Sequence, residues 1–294
     1  MTFALSIIAG PAASITDDLV QKLEALTKAR AHTLATHKAY DVIVDEASDD
    51  LLVRARDAVG GLSIDVNLVP VAHRRKALLI ADMDSTIIQQ ECIDEIAEHA
   101  GCRDEIAAIT ERAMRGELDF EAALRERVSM LKGLPEHVLQ ETFDTKITLT
   151  PGAKILVATM NRSNAVTALI SGGFTFFTTR VGAAAGFRET QANTLLVADG
   201  RLTGKVSEPI LGRTAKQNAL LRLAGAHDIN LADTIAVGDG ANDLSMLERA
   251  GLGVAFHAKP AVAAAADARI DHGDLTTLLY LQGLRHHEFA DVSE

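Results

Sequence analysis

The fold is decided by one stretch, Ala77-Leu78-Leu79-Ile80-Ala81-Asp82-Met83-Asp84-Ser85-Thr86. Its first half is an unbroken apolar run. A strand buried on both faces reads this way, and such strands belong to parallel sheets covered by helices. Its second half places carboxylates and hydroxyls beyond the strand's carboxyl end, where open α/β sheets bind their ligands. Asp82 and Asp84 are two apart, so in extended chain they point the same way. Two converging carboxylates repel unless a cation compensates, and hard oxygen donors favour Mg2+. The alternative is an Asp-rich loop of helix caps.

Working outward, further apolar runs lie at 165–170 and 234–237, with a shorter one at 254–256. Helical stretches separate them. The main body, 77–294, is therefore predicted as a Rossmann-like parallel sheet with helices on both faces. Residues 90–147 carry apolar positions at helical spacing, broken at Gly101, Gly116 and Gly133-Leu134-Pro135. They predict a small helical cap over the carboxyl edge of the sheet. Phe174-Thr175-Phe176-Phe177-Thr178-Thr179 reads as a helix on the sheet edge, and 261–268 as a tightly packed alanine-rich helix.

Residues 1–72 read as a separate α+β module in the order β-α-β(β)-α-β, a ferredoxin-like plan. Ser14-x-x-Asp17 predicts the first helix start, and Gly60-Gly61 ends the second helix. The strand near 31–34 carries the weakest pattern. The basic run His73-Arg74-Arg75-Lys76 predicts a solvated linker, with an anion patch as the alternative.

Composition narrows the function. A length of 294 residues suggests two domains. Apolar content of 48% and charged content of 23% exclude a disordered tail protein, a collagen-like fibre and a disulfide scaffold. The net charge of −11 argues against nucleic acid as a partner. It also means that any phosphate site must concentrate positive charge locally. Cys92 and Cys102 are ten apart, match no zinc pattern, and fit a reducing compartment. No apolar run approaches the ~20 residues that span a bilayer. The start of the chain reads as a strand, not a signal peptide, so a cytoplasmic location is expected.

Three further pieces carry chemistry. Val237-Gly238-Asp239-Gly240-Ala241-Asn242-Asp243 puts two more carboxylates at a strand end, with glycines that let the backbone approach a ligand. The alternative for Asp243 is a helix N-cap. Ser171-Gly172-Gly173 reads as a turn after a strand, offering a hydroxyl and N–H groups to an anion. Lys216 follows at a helix start. A lone lysine is ordinarily a surface charge, and its place in this order favours phosphate.

The order Asp-x-Asp-x-Thr, Ser-Gly-Gly, Lys, Gly-Asp-Gly-x-Asn-Asp resembles the haloacid dehalogenase superfamily. Residues 77 to about 284 are similar to its phosphoserine phosphatase branch. Glu91-x-x-Asp94-Glu95-Ile96, Phe120-x-x-Ala123-Leu124-x-x-Arg127-Val128 and Ser171-Gly172-Gly173-Phe174 carry that closer likeness. The resemblance implies Mg2+-dependent hydrolysis of phosphoserine, the last step of serine biosynthesis. It makes Asp82 the nucleophile and Asp84 the general acid and base. Mg2+ would be held by Asp82, the backbone carbonyl of Asp84, and Asp239. Ser171, Gly172 and Lys216 would hold the phosphoryl oxygens. Glu91 would meet the substrate ammonium and Arg127 its carboxylate. Met114 and Phe120 would line the pocket, and Asn242 would touch the substrate or the phosphate from the opposite side. Thr86, Gly173 and Asp243 would support the motifs, Asp243 through Lys216 or the metal's water shell. For Glu91 and Arg127 the alternative is a solvated helix face; for Met114 and Phe120 it is ordinary cap core.

Residues 1–72 resemble an ACT-type regulatory domain in element order alone, and no effector contacts carry over. Two other functions stay open: phosphoryl transfer to an alcohol acceptor such as homoserine, and a non-enzymatic amino-acid sensor. Loss of Asp82 or Lys216 would mark the sensor, and both are present. A homodimer is compatible with the sequence.

Overall fold

A computed structural model describes residues 1–46, 48–115 and 117–292, without the side chains of Asp49, Met114 and Arg213. Gly116 and the Met114 side chain, both singled out above, thus lie outside the described part.

The chain opens with β1 (Phe3–Ala9), α1 (Asp17–Thr27), β2 (Ala31–Ala35), β3 (Ala39–Val44), α2 (Asp49–Val59) and β4 (Ile64–Pro70). The strands form an antiparallel sheet in the order β2-β3-β1-β4, a topology compatible with a ferredoxin-like domain. Alternation along β1 explains why it reads as apolar throughout. Leu5, Ile7 and Ala9 pack with Leu19, Leu23 and Ala55 under the two helices. Ala4 and Ile8 join the core of the main body instead. The first helix starts later than the Ser14 pattern predicts: Thr16 is the cap, its hydroxyl accepting the Leu19 N–H at 3.3 Å.

The main body continues with β5 (Leu78–Ala81), the cap helices α3 (Cys92–Glu98), α4 (Arg103–Met114), α5 (Phe120–Met130) and α6 (His137–Lys146), then α7 (Ala153–Arg162) and β6 (Val166–Phe174). Next come α8 (Thr175–Ala185), β7 (Glu189–Asn193), the hairpin β8 (Leu195–Ala198) and β9 (Arg201–Val206), and α9 (Arg213–Ala226). The chain closes with β10 (Thr234–Gly238), α10 (Leu244–Arg249), β11 (Gly253–Phe256), α11 (Pro260–Ala265), β12 (Ala268–Ile270) and α12 (Thr277–Leu281). The six-stranded sheet is parallel, in the order β12-β11-β10-β5-β6-β7. From β5 the chain moves to β6 and β7 on one side, then returns to β10 and beyond on the other. The switch point, where such sheets open a crevice, lies between β5 and β10.

Along β5, Leu78 and Ile80 face the layer of α9, α10 and α11. Leu79 and Ala81 face the layer of α7, α8 and α12. That two-sided burial is why 77–81 reads as continuous apolar chain. Sequence periodicity finds four of the six strands. It misses β7, which is polar, β12, which is only three residues long, and the β8–β9 hairpin that packs β9 against α5. The alanine-rich helix stops at Ala265, and Ala268 already belongs to β12.

The cap enters and leaves through adjacent segments. Ile88 and Leu149 form an antiparallel bridge. The Gln89 N–H donates to the Thr148 carbonyl at 3.1 Å, and the Thr150 N–H to that of Ile87 at 2.9 Å.

The basic stretch 73–76 is only in part the solvated linker its composition predicts: His73 and Arg75 are exposed, whereas Arg74 is half-buried and Lys76 buried. Arg74 is half-buried at the seam between the two sheets. Its guanidinium grips the Asp41 carboxylate with Nη1 at 2.7 Å and Nη2 at 2.9 Å, and donates to Ser6 Oγ and the Leu281 carbonyl. A charge left unpaired there would be costly, and Asp41 removes that cost. A second junction covers the outer edge of β12. Asn67 Nδ2 donates to the Arg269 carbonyl at 2.8 Å and its Oδ1 accepts the Arg269 N–H at 2.9 Å. The Asp65 carboxylate accepts the N–H groups of Asp271, His272 and Gly273. Side chains of β4 thus satisfy backbone groups that an open sheet edge leaves exposed. No helix among the described residues is long and apolar enough to cross a membrane.

Candidate active site

The site begins where β5 ends. The Asp82 N–H donates to the Val237 carbonyl at 3.0 Å, fixing the end of β5 to β10. The chain then winds through an irregular turn, Met83–Ile87, closed by Ile88 N–H donating to the Met83 carbonyl at 3.0 Å; Asp84 inside it is extended, with φ −64° and ψ 137°. Ser85 takes a left-handed conformation, φ 54°, inside it. The turn overrides the unbroken strand the two-residue spacing predicts, so Asp82 and Asp84 aim differently. Asp82 Oδ1 accepts the Met83 N–H at 2.7 Å and lies 2.6 Å from Lys216 Nζ. The Asp84 carboxylate instead accepts the Cys92 N–H at 2.8 Å and the Ser171 hydroxyl at 3.1 Å.

Lys216, in the first turn of α9, is fully enclosed. Its ammonium lies 2.6 Å from both Asp82 Oδ1 and Asp243 Oδ1. Burial works against that charge, yet Asp243 and Asp82 hold it above the ordinary lysine range. Asp243 stands at the N-cap position of α10, but its side chain makes no cap hydrogen bond; its Oδ2 accepts the Gly240 N–H at 3.1 Å. A side chain at Gly238 would meet the Asp243 carboxyl carbon at 2.4 Å, so only glycine fits beneath this carboxylate. Thr86 donates to Asp239 Oδ1 at 3.3 Å.

Asp82, Asp239 and Asp243 are buried, with one carboxylate oxygen of each within 4.8 Å of the others. Burial, then the Asp243 charge, push Asp82 well above the usual carboxylate range, against the pull of Lys216. The same two causes push Asp239 up to about 7. One ammonium does not balance three crowded carboxylates. Their oxygen donors and surplus negative charge suit a divalent cation. Asp84 contributes no carboxylate to this group.

The Ser171-Gly172-Gly173 segment is a bulged continuation of β6, not the turn its residues predict: pairing with β7 shifts between Ile170 and Phe174. The bulge aims Ser171 at Asp84. A side chain at Gly172 would strike the Phe120 ring at 2.6 Å, and one at Gly173 the Asp84 carboxylate at 2.8 Å. Phe120, Leu124 and Arg127 of α5 close the pocket from the cap, with Glu91 and Cys92 at the start of α3 and Asn242 on the sheet side. Glu91 accepts the Ser85 hydroxyl at 2.6 Å, and burial, then Asp84, raise its carboxyl well above the usual range. Arg127 donates through Nε to the Ala123 carbonyl at 3.1 Å and through Nη1 to Thr110 Oγ1 at 3.0 Å. Burial weakens its charge, while Glu91, Asp94 and Asp84 support it. Among the described residues Asn242 Oδ1 is a buried acceptor without a partner, and Asn242 lines the pocket that a ligand donor would fill.

Three contributors escape the sequence reading. Thr110 of α4 links Arg127 to Asp94, donating to Asp94 Oδ1 at 2.8 Å. Ser85 holds Glu91. Asn193, at the end of β7, donates to the carbonyls of Gly172 and Leu211 and accepts the Leu211 N–H, clamping the bulge to the approach of α9. Asp94 lies in a quoted motif; nothing in the local sequence marks Thr110.

A carboxylate-bearing strand end, a buried lysine and a cluster of buried carboxylates at the switch point of a parallel sheet define a class. The chain belongs to the haloacid dehalogenase-like hydrolase family, whose pattern matches residues 79–248. Within that family it is similar to phosphoserine phosphatases. It is 46% identical over 229 residues to the phosphoserine phosphatase of Streptomyces coelicolor, across 77% of this chain and 56% of that one. This chain therefore spans a little over half of that relative's length. A solved phospho-aspartyl intermediate analogue of phosphoserine phosphatase is 43% identical, with a TM-score of 0.67 over 70% of this chain and 98% of that one. A haloacid dehalogenase-family hydrolase from Salmonella enterica serovar Typhi is 32% identical, with a TM-score of 0.82 over 95% and 98% of the two chains.

Proposed function

We propose that the chain hydrolyses O-phospho-L-serine to L-serine and phosphate, the last step of serine biosynthesis, in the cytoplasm. The observation that carries this reading is charge placement in the pocket. Asp82 and Lys216 lie on the sheet side, and Glu91 and Arg127 lie on the cap side. A carboxylate and a guanidinium above a phosphate site match the ammonium and carboxylate of an amino-acid phosphoester. The similarity to phosphoserine phosphatases supports the same substrate.

In this reading the Asp82 carboxylate attacks phosphorus, and the bond from phosphorus to the seryl oxygen breaks. Asp84 delivers its proton to that oxygen. It then removes a proton from the water that attacks the aspartyl-phosphate, releasing phosphate and restoring Asp82. The Ser171 hydroxyl, 3.1 Å from Asp84, sits beside that proton path. Ser171, the Gly172 N–H and Lys216 hold the phosphoryl oxygens; Asn242 Oδ1 receives a substrate donor. Mg2+, held by Asp82, Asp239 and the Asp84 backbone carbonyl, would supply charge neutralisation at the phosphoryl group. Asp243 keeps Lys216 charged and aimed.

We also read residues 1–72 as an ACT-like domain, supported by their element order and antiparallel topology.

The test is phosphate release from a panel of phosphomonoesters with Mg2+, with and without homoserine. Preference for phosphoserine, with free phosphate as the product, is expected. Equal rates across the panel would remove phosphoserine as the substrate. Appearance of phosphohomoserine in place of free phosphate would replace hydrolysis by transfer.

A further inference from the structure

Away from the active site, a cleft of about 860 Å3 runs along the seam between the β2–β3 hairpin and the segment around α12. Leu34, Ile155 and Phe289 give it apolar walls, and Tyr280 and Phe289 pack their rings 4.8 Å apart there. Lys38 and Arg285 line it, and neither has a carboxylate within ion-pair distance among the described residues. His286 and His287 add two imidazoles. The one carboxylate that lines it, Asp274, is turned to Thr276: its Oδ1 accepts both the Thr276 N–H and the Thr276 hydroxyl, and it keeps its negative charge. In a chain of net charge −11, Lys38 and Arg285 face the same open groove, Lys38 half-buried and Arg285 exposed. Pockets that hold small molecules combine apolar walls with a few such converging polar groups, in this size range.

We propose that this cleft binds a small organic anion. Its carboxylate or phosphate group pairs with Lys38 and Arg285, and its apolar or aromatic body lies against Leu34, Ile155 and Phe289. Arg285 suits bidentate pairing with either group, and Lys38 acts as a point charge. The occupant would bridge the N-terminal sheet to the segment at Asp274 and Thr276. That segment also touches the return from the cap, because the Leu275 N–H donates to the Pro151 carbonyl at 3.1 Å. The site is independent of the catalytic reading, and either can fail alone.

Two probes separate the anion types: isophthalate, a dicarboxylate, and phenylphosphonate, whose carbon–phosphorus bond a phosphomonoesterase does not cleave. Backbone amide shifts in 15N-labelled full-length protein report each site locally. Lys38 and Thr276 report the seam, and Gly172 and Gly240 report the active site. Saturable shifts at Lys38 and Thr276, with a dissociation constant below about 1 mM, are expected for one or both probes. In the double variant Lys38→Gln, Arg285→Gln that affinity should fall at least about tenfold. Turnover and the phenylphosphonate shifts at Gly172 should stay unchanged. Lys38→Arg should retain the seam binding. Silence at Lys38 and Thr276 with both probes, or equal affinity in the double variant, overturns the proposal.

Discussion

Replacing Arg127 by alanine tests the substrate reading most directly. The side chain is 6% exposed. Two of its donors are committed, to Thr110 and Ala123, and its guanidinium lines the same pocket as Asp82 and Glu91. If the remaining donors meet the substrate carboxylate, the contact is charge-assisted and shielded from water. Its loss should cost about 2–4 kcal/mol, or ~30- to 1,000-fold in kcat/KM for phosphoserine. Nearby acids keep neutral donors when the guanidinium goes: Ser85 still serves Glu91, and Thr110 still serves Asp94. The fold should therefore survive, which a melting curve checks. p-Nitrophenyl phosphate has no carboxylate to lose, so its kcat/KM should stay within about threefold. Arg127→Lys should fall between, because lysine keeps the charge and loses the fork. Equal losses on both substrates would refute the reasoning and make Arg127 a structural or phosphate-binding residue.

Asp82→Asn should abolish turnover and phosphoenzyme in acid-quenched samples, and Asp84→Asn should slow both formation and breakdown of the intermediate. If Asp84→Asn weakens phosphate binding alone, it is not the proton donor. Thr110→Val removes one hydrogen bond to Arg127, so KM for phosphoserine should rise about fivefold with kcat unchanged, corresponding to ~1 kcal/mol. Chelation should stop turnover and Mg2+ should restore it. A saturating cation at a hundredfold its dissociation constant should add about 2.7 kcal/mol of stability, and Asp239→Asn should lose that gain in a melting assay. A chain starting at Arg74 should keep Mg2+-dependent catalysis but melt at least about 5 °C lower. Its 271–273 N–H groups and apolar seam lose their cover. A folded, soluble truncation without activity would place residues 1–72 in the site.

What was legible in the sequence follows from the length scale of each interaction. The strand β5 and the loops at Asp82 and Asp239 announce themselves because their signals are local: an apolar run, a carboxylate pair, glycines at a tight approach. The Ser171-Gly172-Gly173 segment is visible as residues but reads as a turn, because the register shift against β7 depends on another strand. Arg74 misleads for the same reason. A basic tetrapeptide looks solvated until Asp41 and Ser6 arrive from a separate sheet. Thr110 was invisible, since a threonine inside an amphipathic helix carries no mark of the arginine it will hold from the next helix.

The paired crossings at Ile87–Gln89 and Thr148–Thr150 have a consequence for how this molecule could change. Four helices hang from two chain ends that lie one hydrogen bond apart. For the sheet beneath, such an excursion is a closed loop, and loop-closure entropy rises only with the logarithm of its length. Helices could be lengthened, shortened or exchanged there without moving Asp82, Lys216 or Asp239. Selection could thus act on the recognition of the leaving group separately from the phosphoryl chemistry.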